Sequence, residues 1–175
     1  MDKVKGLTQT SSLIAISGGV PESAVDTFTQ NRFDLQLNPL DNEVFVVVAI
    51  DMNLTPPDGD AGLAAFNSTL ASLSTTERTT LGTLAQPSVL CEARDTIAND
   101  SAAGVPAGTF SRVSGETPTG VLPYIGIIAT NDFFVQVQGI NNKNAKGVTF
   151  RMWGYRAKAS ASQYAALVQS EILSQ

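Results

Sequence analysis

Phe133-Phe134-Val135-Gln136-Val137-Gln138-Gly139 and Gly147-Val148-Thr149-Phe150-Arg151-Met152-Trp153-Gly154-Tyr155-Arg156-Ala157-Lys158-Ala159 are two strand patterns joined by Asn141-Asn142-Lys143-Asn144-Ala145-Lys146. β-Branched and aromatic residues fit a pleated, half-buried surface, and the Asn-rich connection has turn chemistry. A third strand pattern, Val121 to Ala129, precedes them across Thr130-Asn131-Asp132. Together they predict an antiparallel meander.

Working toward the N-terminus, Glu43 to Leu54 contains Phe45-Val46-Val47-Val48-Ala49-Ile50, apolar at consecutive positions. A strand places successive side chains on opposite faces, so this one needs cover on both and is central. Phe33, Leu35 and Leu37 alternate with polar residues and predict a half-buried strand that Pro39 ends. Thr-dense Ser74 to Leu84 reads as an edge strand, and Ser88 to Ile97 as a strand bracketed by Pro87 and Asn99. Leu63 to Leu73 is weakly periodic and reads as a turn of helix or an ordered loop. Asn99 to Gly120 is a long Gly/Pro-rich loop of the kind that carries function or assembly contacts. Met1 to Val25 lacks a period, with Gly18, Gly19 and Pro21 as breakers, and reads as an extended arm. At the other end, Ser160 and Gln163 have capping-box spacing, and Tyr164, Leu167, Val168 and Ile172 fall on one helical face.

About seven strands at short spacing, without a strand–helix rhythm, define an all-β chain. The expected fold is an antiparallel β-sandwich of jelly-roll type. Residues 1–25 form its extended N-terminal arm, 26–159 the sandwich, and 160–175 a C-terminal amphipathic α-helix. One domain accommodates all 175 residues.

Composition removes much chemistry. With no His and one Cys, the chain has no Ser-His-Asp triad, no Cys-His pair and no multi-cysteine zinc pattern. No phosphate loop follows a strand, and no cofactor is implied. Asp58 and Asp60 flank a glycine as weak metal candidates, although an Asp-Gly turn without metal accounts for them. Cys91 alternates with apolar positions as a buried, inert thiol would. The expectation is a chain that is not an enzyme. Leu13 to Ile16 is too short for a signal-peptide core, and Val44 to Ile50 is too short for a membrane helix.

Charge is uneven. The segment from Phe133 to Ser170 holds five of the 11 Lys and Arg and none of the 16 Asp and Glu. These are Lys143, Lys146, Arg151, Arg156 and Lys158, interleaved with Trp153 and Tyr155. A solvated face, a subunit interface or a nucleic-acid surface are the competing uses. A pI of about 4.6 ranks nucleic acid last, and we carry the seven residues forward as an interface.

The arm at 1–25, the run from Glu43 to Ile50, the Gly/Pro loops and the closing segments Phe133 to Gln138 and Arg151 to Arg156 resemble small coat proteins of tailless icosahedral viruses built on a single jelly roll. The resemblance implies a structural protein that self-assembles into a capsid shell in the virion through arm, loop and strand-face contacts. Its partners are then other copies of itself, with a second coat protein or an internal membrane as further ones. The arm holds only Lys3 and Lys5, which disfavours direct nucleic-acid binding. The alternative is a soluble β-sandwich binding module for carbohydrate or adhesion.

Overall fold

The computed structural model describes residues 4, 6–59, 65–100, 105–112 and 122–173. Two five-stranded antiparallel sheets face one another. In sheet A, β1 (Leu7–Gln9) and β2 (Ile14–Pro21) both pair with β10 (Gly147–Ala159), which pairs with β4 (Glu43–Leu54) and so leads to β8 (Gly126–Ile128). Sheet B runs β3 (Thr29–Asp34), β9 (Asp132–Ile140), β5 (Phe66–Ser74), β6 (Val89–Asp100), β7 (Val105–Arg112). Apart from β1 to β2 and the succession β5, β6, β7, each step along the chain crosses to the other sheet. That winding is the jelly roll.

The core between the sheets takes Phe45, Val47, Ile50, Met52 and Leu54 from β4, Val148, Phe150 and Met152 from β10, and Leu73, Phe133, Val135 and Val137 from sheet B. Phe33, Phe133 and Phe150 pack as one stacked and two edge-on ring pairs. Gly18 lies beneath them: a Cβ there would stand 2.7 Å from Phe33 and 2.8 Å from Phe150.

β4 serves two cores because of one extra residue. Trp153 pairs with Ala49 and Gly154 with Val47, so Val48 bulges. Before the bulge Phe45 and Val47 point inward; after it Ile50, Met52 and Leu54 do. Val44 and Val46 therefore face outward, where they join Tyr155, Ala157 and Ala159 under α1 (Ala161–Leu173), which contributes Tyr164, Leu167 and Val168. This is the cover on both faces that the apolar run demanded.

The capping box forms as read: the Gln163 N–H donates to Ser160 Oγ, and the Ser160 N–H to Gln163 Oε1, both at 3.4 Å. Ile172, expected on the apolar face, is 55% exposed. Glu171 is the buried residue instead. Its carboxylate accepts the Ala129 and Thr130 N–H groups at 2.8 and 2.9 Å and pins the helix to the sandwich.

Several boundaries are corrected. Within residues 1–25, Leu7–Gln9 and Ile14–Pro21 are strands of sheet A: Ile14, Ile16, Gly18 and Val20 turn inward while Ala15, Ser17, Gly19 and Pro21 face out. The glycines taken as breakers occupy pleat positions. Leu63 to Leu73 is neither helix nor loop, since Phe66–Ser74 is β5 at the centre of sheet B. Ser74 to Leu84 is no edge strand; after Ser74 the chain leaves the ladder as a strap, residues 75–88. The strand expected at Phe33 to Leu37 starts earlier and ends at Asp34, where Gln36 takes a φ of 52°. Val121 to Ala129 contributes only β8. Within Asn99 to Gly120, the segment Val105–Arg112 is a strand, and residues 101–104 and 113–120 lie outside the described residues.

Candidate assembly surface

The positive face read from the sequence does not exist as one surface. Lys146 is buried and its Nζ donates to Asp58 Oδ1 at 2.7 Å. Arg156 pairs with Glu43 at 3.3 Å and donates to the carbonyls of Leu35 and Gln36. Lys158 pairs with Asp41 at 2.9 Å, and the hydrogen bond from Lys158 holds the Asp41 carboxyl below its ordinary value. Tyr155 is buried beneath α1. Lys143 is exposed in the β9–β10 turn, its N–H donating to Asp58 at 2.8 Å. Arg151 and Trp153 remain on the outer face of sheet A, the guanidinium 5.9 Å from the ring centroid and its Nε donating to Ser17 Oγ. Of the seven residues, only these two form an accessible pair with each other.

Asp58 acts as a fastening between connections. It accepts the N–H groups of Lys143 and Asn144 along with the Lys146 ammonium. Burial pushes its carboxyl up, but Lys146 and the two N–H groups outweigh burial and lower it to about 2. Around it, Glu22 accepts the Gly139 and Lys146 N–H groups, Asp26 accepts the Asn142 N–H, and Asn67 donates to the Asp58 carbonyl. The clasp ties the β2–β3, β4–β5 and β9–β10 connections at one end of the sandwich. Asp60 lies outside the described residues, among which no cluster of three metal-binding side chains occurs. Cys91 is buried beside Met52, and burial pushes its thiol up to about 12. As the sequence reading had it, this thiol is buried.

The outer face of sheet B is divided. The strap covers one half, where buried polar side chains satisfy one another: Ser72 Oγ donates to Gln136 Oε1, Gln136 Nε2 to Ser74 Oγ and Gln30 Oε1, and the Gly82 N–H to Ser72 Oγ. On the other half Ser68 is buried, while two phenyl rings are exposed. Register sets Phe66 across from Ala98 and Gly108, and Phe110 across from Thr96 and Ser68. Phe110 is 66% and Phe66 40% exposed. The Phe110 ring leans to within 4.0 Å of the place where a Gly108 Cβ would be, so two phenyl rings flank a floor of small residues.

The outer face of sheet A is divided too. α1 covers the end carrying Val44, Val46, Tyr155, Ala157 and Ala159. The remainder is open, in cross-strand rows of Ala15, Trp153 and Ala49, then Ser17, Arg151 and Asp51, then Gly19, Thr149 and Asn53. At its end is a cleft of about 560 Å³ among Pro21, Asn53, Thr55, Pro56, Gly147 and Thr149.

The class these features define is a jelly-roll β-sandwich with two half-open sheet faces. No family model and no curated protein matches the chain in sequence. Among solved structures, VP1 of Trichodysplasia spinulosa-associated polyomavirus is similar over 91% of this chain and 98% of its own, with 6% identity and a TM-score of 0.34. A likeness of that size transfers no function. No described helix is long and apolar enough to cross a membrane, which leaves strand-built spans unaddressed.

The sequence reading singled out Arg151 and Trp153 of the sheet A surface, but not the Phe66 and Phe110 pair of sheet B. Phe66 sat in a segment read as helix or loop, and Phe110 in one read as loop. The signal lay in Gly108-Thr109-Phe110, a strand residue two places after a glycine.

Proposed function

We propose that this chain is a structural protein that self-assembles into a capsid shell, and that the half of sheet B outside the strap is its principal contact. The observation that carries the reading is the Phe66 and Phe110 platform, two exposed phenyl rings on the same face of sheet B. An aromatic side chain carries roughly 150–250 Å². At the observed exposures the two rings present about 200 Å² per copy, or about 5 kcal/mol at ~25 cal/mol per Å². Two copies face to face would gain about 10 kcal/mol against an association cost of ~4–15 kcal/mol. Single contacts of that strength are marginal, and closed assemblies of many copies accumulate them. The edge strand β7 carries the platform to the rim of sheet B, where a neighbour has access.

Of the basic residues expected at this interface, Lys146, Arg156 and Lys158 pair with Asp58, Glu43 and Asp41, and β1 and β2 of the arm pair in sheet A. Light scattering with electron microscopy of the purified chain tests the reading. Regular particles that are lost in Phe66→Ser with Phe110→Ser, at unchanged circular dichroism, are the expected result. A monomer of 18.4 kDa at high concentration, or particles indifferent to both substitutions, overturns it.

A further inference from the structure

We infer that the open half of sheet A is an oligosaccharide-binding face. Trp153 is its stacking platform, and the cleft beside Gly147 its far end. The inference is independent of self-assembly and uses the opposite sheet.

Three observations converge. First, Trp153 stands between Ala15 and Ala49 in its row, so no bulky neighbour shields the indole along that row. The Arg151 guanidinium lies over the ring, 5.9 Å from its centroid, so a sugar would share the indole with it. A partly exposed aromatic ring suits the apolar face of a pyranose. Second, the next rows carry hydrogen-bonding groups that the fold does not use. Asp51 makes no ion pair or side-chain hydrogen bond with any described residue, although Arg151 is its cross-strand neighbour. Arg151 spends only Nε, on Ser17, and leaves its two terminal nitrogens outward. Planar groups with two donors or two acceptors match the vicinal hydroxyls of a sugar, as they match other bidentate partners.

Third, the face ends in the 560 Å³ cleft, within the range of small-molecule sites of roughly 300–1,000 Å³. Asn53, Thr55 and Thr149 line it, and no charged side chain does. Two glycines line it. A Cβ on Gly147 would stand 3.6 Å from Thr55 Oγ1, and one on Gly19 3.5 Å from the Thr149 methyl group. From Trp153 to Gly147 β10 advances about 20 Å at ~3.3 Å per residue, which spans several sugar rings.

Other ligand classes fit worse. The face balances one cation, Arg151, with one anion, Asp51, and so offers a polyanion nothing. Its apolar area is one indole and two alanines, with none of the clustered large apolar side chains of an interface centre.

The test applies the full chain to a printed array of neutral and acidic oligosaccharides, then titrates any retained sugar into solution. The expected result is retention of a defined subset. Asp51→Ala with Asn53→Ala, two exposed changes, should weaken it at least tenfold, as should Trp153→Ala. Phe66→Ser with Phe110→Ser, on the opposite sheet, should leave it unchanged. No retention of any sugar, or retention undiminished in the folded Asp51→Ala, Asn53→Ala chain, overturns the inference.

Discussion

Asp58→Asn is the sharpest probe of the clasp. In the native chain the Asp58 carboxyl titrates at about 2, against an ordinary 3.8. At about 1.4 kcal/mol per pH unit, that difference is about 2 kcal/mol of folding stability. The folded-state value is the lower one, so the contribution is complete above pH 4. It is lost as pH falls through about 2, where folded and unfolded carboxyls are both protonated. The variant has a second cost: it leaves the Lys146 ammonium, with a side chain only 4% exposed, facing a neutral amide. Breaking a buried pair from one side typically costs ~3–5 kcal/mol. Urea unfolding of both chains from pH 7 to pH 2 should show the variant less stable by about 3–5 kcal/mol at neutrality. The gap should narrow by about 2 kcal/mol at the acid end. A gap that stays constant with pH would refute the reasoning, because the ion pair would then not be the source of the stability.

Three further outcomes follow from geometry. Gly154→Val should abolish folding or cost more than ~4 kcal/mol in urea unfolding, since even a Cβ there would lie 2.3 Å from the Phe45 ring and 2.4 Å from the Val46 carbonyl; a loss below ~1 kcal/mol would show that the sheet can yield at the bulge. Glu171→Ala strips the acceptors from two backbone N–H groups, at ~1–3 kcal/mol for each one left buried, so hydrogen exchange should show α1 unprotected while β4 and β10 stay protected. Cys91 should resist a thiol reagent at pH 8 until the chain unfolds, because burial keeps it a thiol up to about pH 12; rapid labelling of the native protein would contradict that placement.

What the sequence disclosed, and what it hid, follows from where polar side chains go. β4 and β10 were read with the limits they have, because long β-branched runs leave no other use for the backbone. β5 was missed because alternation fails when both faces are buried and one is polar. Ser68, Ser72 and Ser74 are fully buried, and Ser72 and Ser74 satisfy Gln136 under the strap. β2 was missed because Gly18 is small to admit two phenyl rings, not to break a strand. The positive face was misjudged because the neutralising partners lie far off in the chain: Glu43 for Arg156, Asp41 for Lys158, Asp58 for Lys146. A run of like charges in sequence says nothing about opposite charges delivered by another strand. Glu171, on the polar side of a helical wheel, becomes buried only because two unpaired N–H groups of the β8–β9 turn await it.

The pairing of β10 with β1, β2 and β4 sets the order of events when the chain is made. A ribosome releases β1, β2 and β4 long before β10 exists, and neither β2 nor β4 pairs with the other in its absence. Until then Val44 and Val46 on the outer side of β4 lack Tyr155, Ala157, Ala159 and α1, which cover them in the finished fold. Sheet B needs no such wait for β5, β6 and β7, which are successive neighbours. Growing chains should therefore carry a half-built sandwich and a sticky, unzipped strand. That strand stays exposed to wrong partners until β10 emerges and closes sheet A.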